Sequence, residues 1–149
     1  MTVTVRLTGA HPLFKPAAEL LDEYRQHYGA NPAPDAVAGW LTDQVFRDRM
    51  RIYVGEREHR VAGICSVALV PASLTLRTVW LVRDLYVEPD SRRHGVARAL
   101  LAHVADEARA EGAHRLSLQT EAANDRALEL YAKAGFEPVT DVAQMHRIL

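Results

Sequence analysis

One cysteine in 149 residues leaves this chain no means of closing an internal disulfide. Cys65 lies inside the apolar stretch VAGICSVALV and reads as a small core residue, not a reactive thiol. Long apolar runs are missing too. None approaches the ~20 residues that cross a bilayer, so no membrane partner is expected. The N-terminal MTVTVRLTGAH alternates and lacks the apolar block of a secretory signal. The expected location is cytoplasmic. A strong charge of one sign is also lacking. The formal net charge is −1, which argues against a surface devoted to nucleic acid. The seven histidines show no metal-ligand pairing. His94 and His103 are not four residues apart, and no cysteine or acidic cluster accompanies them. No metal is expected.

What is present is the composition of an ordinary globular domain, 48% apolar and 25% charged. Val3 to Leu7 alternates as a strand does. After Pro16, residues Leu20, Leu21, Tyr24 and Tyr28 recur at helical spacing, and Gly29 suits the stop. Asp35 can cap a second helix carrying Val37, Trp40, Leu41 and Val45. Strands are predicted at 52–55 and 61–70, joined by the charged turn EREHR, with a break at 71–73 and a further strand over 79–87. Val96, Leu100, Val104 and Ala108 share one face of a helix that Gly112 stops. LSLQT, 116–120, reads as a strand, and Asn124 can cap a helix closed by Gly135. Two final strands are expected near 138–142 and 145–148. The chain reads as a single α+β domain over residues 1–149.

The stretch EPDSRRHGVARALL carries an electrostatic conflict. Arg92, Arg93 and His94 stand directly before Gly95 and a helix. A helix start already exposes N–H groups and the positive end of the macrodipole, so added cations are unfavourable there unless an anion sits on them. A tight strand-to-helix turn gathers several backbone N–H groups at one point. Gly95 lets a ligand approach the backbone, and Ala97 keeps the first helical turn small. The competing reading is a solvated basic turn whose glycine serves its dihedrals alone. No Lys-Ser or Lys-Thr follows as in a Walker loop, and the single glycine does not make a dinucleotide fingerprint.

These residues resemble motif A of the GNAT superfamily, the acyl-CoA-dependent N-acyltransferases, written Arg/Gln-x-x-Gly-x-Gly/Ala. Here it is Arg92-x-x-Gly95-x-Ala97. LSLQTEAANDRALELYAKAGF resembles motif B, through Asn124, Leu130, Tyr131, Gly135 and Phe136. The two motifs keep the family's order and about its spacing, within 79–137. The resemblance implies a central mixed, mostly antiparallel sheet of six to seven strands with about four helices, splayed between the fourth and fifth strands. It implies acetyl-CoA as cosubstrate. Leu85, Tyr86 and Val87 would line the pantetheine arm. Arg92, Arg93, His94, Gly95, Val96 and Ala97 would hold the diphosphate. Asn124 would bond the cofactor near the slot, and Tyr131 would protonate the leaving thiolate.

The implied reaction is direct attack of a neutral amine on the thioester in a ternary complex. Its base is left among Asp84, Glu88, Glu121 and water. The favoured acceptor is a small-molecule primary amine. Acetylation of a protein lysine or N-terminus is the alternative, and a non-catalytic CoA-binding sensor or scaffold the second. GNAT domains are often dimers, so a homodimer is admitted. The first two helices, expected opposite the thioester slot, carry Glu19, Asp22, Glu23, Asp35 and Asp43, which favours a cationic acceptor.

Overall fold

The computed structural model describes residues 2–7 and 9–149. The chain forms two compact units, Met1–Gln119 and Thr120–Leu149. The first unit holds β1 (Val3–Leu7), α1 (Phe14–His27), α2 (Pro34–Phe46), β2 (Arg51–Arg57), β3 (Arg60–Ala72), β4 (Arg77–Val87), α3 (Val96–Ala110) and β5 (Arg115–Leu118). A single 3-10 turn, Pro89–Ser91, links β4 to α3. The second unit holds α4 (Asp125–Lys133).

The strands lie in sequence order, β1-β2-β3-β4-β5, in one sheet. The first four are antiparallel, with Val5 opposite Val54, Val54 opposite Ile64 and Ile64 opposite Tyr86. β5 runs parallel to β4 and pairs only from Val79–Arg115 to Val82–Leu118. β4 continues to Val87, so its last five residues run beyond the β4–β5 ladder. Between β2 and β3 the turn residues Glu58 and His59 both have positive φ, 53° and 63°. That is the twist a two-residue hairpin needs, reached without glycine.

Alternation along β2 and β3 divides the core. Ile52, Val54 and Ile64 face α1 and α2, where they meet Phe14, Ala17, Leu21 and Leu41. Gly55 and Gly63 lie on the other face under α3. Val96, Leu100 and Val104 of α3 are at most 2% exposed. Each such aliphatic side chain contributes about 1.5–3 kcal/mol through burial.

Several expectations change. Among the described residues the sheet has five strands, not six or seven. The segments 138–142 and 145–148 form no strand. Val139, Val142, Met145 and Ile148 are 70–92% exposed, and within each segment the apolar residues stand three apart, not at the period of two that a half-buried strand shows. Pro71 does not end β3, which runs to Ala72. β2 pairs no further than Val67, so Pro71 lies where β3 has lost one neighbour and a missing N–H is tolerated. Asp35 lies inside the first turn of α2, not at its cap. The N-cap residue is Ala33, without a capping side chain, and its own N–H is held by Asp22, whose two carboxylate oxygens each accept from it at 3.2 Å.

Candidate active site

The strand-to-helix turn after β4 is fixed from several sides. Glu88 N donates to Ala62 O at 2.9 Å, and Ser91 N to Glu88 O at 3.0 Å. Ser91 is fully buried, and its Oγ donates to Glu88 Oε1 at 2.6 Å. The same Glu88 oxygen receives Arg60 Nη2 at 2.8 Å. Arg92 turns back on β4: its Nε donates to Val87 O at 3.0 Å and its guanidinium lies 5.6 Å from the Tyr86 ring centre.

Beyond this brace the backbone takes two left-handed residues, Arg93 at φ 63° and Gly95 at φ 79°. A non-glycine residue held there costs of order 1 kcal/mol, and such strain concentrates at functional turns. Gly95 is the N-cap of α3 and offers no capping side chain. The first intrahelical bond is Ala99 N to Gly95 O at 3.0 Å. The N–H groups of Val96, Ala97 and Arg98 therefore lack intrahelical acceptors. A Cβ built on Gly95 meets nothing within 4 Å, and residues 92–95 are exposed. The turn thus presents free donors, a positive helix end and three basic side chains to solvent.

The floor of this turn depends on two glycines. A Cβ on Gly63 would come 2.7 Å from Val96 Cγ1 and 3.1 Å from Tyr86 O; one on Gly55 would come 2.9 Å from Val96 Cγ1. Only hydrogen at both positions lets the start of α3 sit down on β2 and β3. Glycines inside two strands were a visible signal of close backbone approach.

Leu85, Tyr86 and Val87 lie in the part of β4 that runs beyond the β5 ladder, and all three are half-buried. Two of the candidate bases are in this unit. Glu88 is bound by Ser91 and Arg60, so its carboxylate serves the brace. Asp84 lies opposite Ser66, at an irregularity where Arg83 is the extra residue, and Ser66 Oγ donates to Asp84 Oδ2. That is the partner a half-buried carboxylate requires. Asp84 alternates with Tyr86, so both face α1 and α2.

Cys65, opposite Leu85, is fully buried on the α3 side. Burial, with a smaller contribution from the Asp84 charge, pushes its thiol up to about 12. It is a core residue, as expected. Tyr53 is likewise fully buried and donates to Glu107 Oε2; burial first, then Glu107, raises its phenol. Arg51 completes that network, with Nη2 donating to Glu111 Oε1 at 3.0 Å and its guanidinium 4.8 Å from the Trp80 ring centre.

In the second unit Asn124 caps α4, its Oδ1 accepting from Ala127 N at 3.1 Å. Tyr131 lies in the last turn of α4, its ring 6.0 Å from that of Phe136. Gly135 closes the helix at φ 92°. Glu121, the third candidate base, is exposed and also in this unit.

The acidic wall predicted on α1 and α2 is thinner than its residue count suggests. Asp22 is 4% exposed and accepts from Arg25 Nη1 at 2.9 Å and Gln26 Nε2 at 3.2 Å, besides Ala33 N. Asp43 accepts from Arg47 Nε at 2.7 Å. Sequence reasoning missed the Glu88–Ser91–Arg60 brace and the aromatic contacts joining Tyr24, Tyr28 and Tyr86. Among the described residues, no group of three or more His, Cys, Asp or Glu side chains could hold a metal ion. Among them too, no helix is long and apolar enough to cross a membrane.

The sequence model described as the acetyltransferase (GNAT) family matches residues 15–136. An uncharacterized N-acetyltransferase, YhfO of Bacillus subtilis, is 28% identical over 123 residues, 83% of either chain. The ribosomal protein bS18 alanine N-acetyltransferase of Escherichia coli is 40% identical over 57 residues, 38% of either chain. The crystal structure of a probable acetyltransferase superposes with a TM-score of 0.90 at 28% identity, covering 99% of this chain and 97% of the other.

Proposed function

The chain belongs to the acetyltransferase (GNAT) family and is an N-acetyltransferase, and from that premise we propose that it transfers the acetyl group of acetyl-CoA to the primary amine of a small molecule. The observation that carries the reading is the turn from Arg92 to Ala97, with its uncapped helix start, its left-handed Gly95 and its three basic side chains. A diphosphate satisfies the free N–H groups and removes the charge conflict together. The family match runs from the first compact unit into the second, which supports reading residues 1–149 as one catalytic domain.

In this reading the main chain of Leu85, Tyr86 and Val87 holds the pantetheine arm along the unladdered end of β4. Arg92, Arg93, His94, Gly95, Val96 and Ala97 hold the diphosphate, and Asn124 bonds the cofactor. The amine attacks the thioester carbon in a ternary complex. A new C–N bond forms, the C–S bond breaks, and the electron pair leaves on sulfur. Tyr131 gives that thiolate its proton: a phenol near ~10 suits a thiolate near ~8.5. The amine's surplus proton passes to Asp84, to Glu121 or to water; Glu88, held by both Ser91 and the Arg60 guanidinium, is occupied in its brace.

The test pairs two nearly isosteric variants at Gly95. Asn and Asp both tolerate the left-handed region. Gly95→Asp places a carboxylate where the diphosphate would lie, and Gly95→Asn does not. Calorimetry should show acetyl-CoA binding lost in the Asp variant and largely retained in the Asn variant. Thiol release with a panel of small amines and lysine peptides then separates a small acceptor from a protein one. Equal binding by both variants would remove the diphosphate from this turn.

A further inference from the structure

Beside α1 the first unit has an open cavity of about 290 Å³, lined by Tyr24, Arg25, Tyr28 and Ala30. That is close to the lower end, roughly 300 Å³, of small-molecule sites. Tyr24 and Tyr28 meet edge to face at 5.1 Å, and Tyr24 also meets Tyr86 of β4 at 5.6 Å. The cavity wall therefore touches the stretch of β4 assigned above to the thioester arm, on the face that Asp84 shares.

Arg25 is the only ionic side chain in the lining. Its partner Asp22 is 4% exposed, accepts from Arg25, Gln26 and Ala33, and is not among the lining residues. Farther along, the rings of His27 and Tyr86 are 6.4 Å apart, and Arg92 covers Tyr86. The end of α1, which could have drawn a cation, is closed: Ala30 N donates to Arg25 O and Gly29 N to Gln26 O, each at 3.0 Å. An ammonium group entering here would meet a guanidinium, and the lining contains no carboxylate. A carboxylate would meet the guanidinium donors that Asp22 leaves unused, with the rings of Tyr24 and Tyr28 in the same lining.

Resting on the acetyltransferase reading above, we propose that the acceptor is an amino-acid-like amine, one whose molecule also carries a carboxylate and an apolar side chain. Its carboxylate binds Arg25, its side chain lies against Tyr28 and Tyr24, and its amine points along Tyr86 toward Asp84 and the thioester. This replaces the cationic acceptor expected from the sequence.

The experiment compares matched acids and carboxamides (phenylalanine with phenylalaninamide, leucine with leucinamide) and spermidine, at saturating acetyl-CoA. The carboxamide's amine is the less basic and so more often neutral, which biases the chemistry against the acid. The expected result is nonetheless a preference for the acid of about 10- to 100-fold in kcat/KM, the worth of a hydrogen bond to a charged group. Arg25→Gln should collapse the acid-to-amide ratio toward one with little change in the KM for acetyl-CoA. Because Arg25→Gln removes the partner of buried Asp22, Tyr28→Ala at a 65% exposed position serves as a second variant. It should weaken both phenylalanine compounds more than both leucine compounds. Calorimetry of the acids against the free and the CoA-loaded protein gives a readout independent of turnover. Amides equal to acids, a spermidine preference, or no saturable acid binding in either state would overturn the inference. If acetyl-CoA binds in such a case, the family reading stands; if acetyl-CoA itself fails to bind, the Arg92–Ala97 assignment falls separately.

Discussion

A Cβ on Gly63 would stand 2.7 Å from Cγ1 of Val96, nearer than any side chain tolerates. Strand β3 and the first residue of α3 are thus in contact through a hydrogen atom. The height of the helix start above the sheet is set by that contact, and so is the position of its N–H groups.

Gly63→Ala should therefore act twice. The carbonyl of Tyr86, 3.1 Å away, cannot yield, so α3 must lift. Overpacking of this kind costs about 1–3 kcal/mol, and at roughly 2–4 °C per kcal/mol the melting temperature should fall measurably. The KM for acetyl-CoA should rise with it. Gly39→Ala is the contrast: Gly39 is in α2 with nothing within 4 Å of its Cβ position. There alanine should stabilise by about 0.5–1 kcal/mol. A Gly63→Ala protein as stable as its parent would show that the helix start is free to move.

The brace behind the turn gives a second expectation. Ser91 is fully buried, and its hydroxyl reaches only toward Glu88, which Arg60 also holds. Ser91→Ala removes one hydrogen bond, worth about 1 kcal/mol. Steady-state kinetics should show the KM for acetyl-CoA raised several-fold with kcat little changed, because the turn is displaced and the reacting groups are not. A fall in kcat at constant KM would assign Glu88 to the chemistry instead.

Much of this arrangement was legible in the sequence, and the parts that were not share a cause. The span from Val79 to Gly112 reads correctly because each signal is local: a strand, a breaking proline, Gly95 at positive φ, then four apolar residues on one helical face. Asp22 misleads because its role is settled eleven residues away, at Ala33. An acid on a helix looks like solvated surface until the chain returns to it. The Arg60–Glu88 pair joins residues 28 positions apart, beyond any local pattern. The two expected final strands fail for the opposite reason. Val139 and Val142, like Met145 and Ile148, are local apolar signals, but they stand three residues apart, and a strand requires a partner that sequence spacing alone does not supply.

Tyr131 offers a test confined to the second unit. Tyr131→Phe removes a hydroxyl and leaves the ring in its contact with Phe136. Turnover should fall by roughly 10²- to 10⁴-fold, the range for loss of a general acid. The dissociation constant for acetyl-CoA should scarcely move. Full turnover in the variant would make Tyr131 a packing residue.

Alkaline pH should expose the buried thiol of Cys65. Burial raises it from 9.0 to about 12. A raised native pKa means that folding favours the protonated form. That contribution is complete below pH 9 and is lost as pH rises through the native value. At pH 10.5 the loss amounts to about 2 kcal/mol. The phenol of Tyr53, also raised by burial, works in the same direction from a higher starting point. Melting temperatures measured from pH 7 to pH 10.5 should therefore fall more steeply for the parent than for Cys65→Ala. The variant begins lower at neutral pH because it loses a packed sulfur, so the slope is the quantity to compare. A thiol reagent at pH 8 should leave the native protein untouched and titrate one thiol after denaturation. Parallel slopes for the two proteins, or rapid modification of the native chain, would mean that Cys65 is reached by water and that the sheet beneath α3 opens.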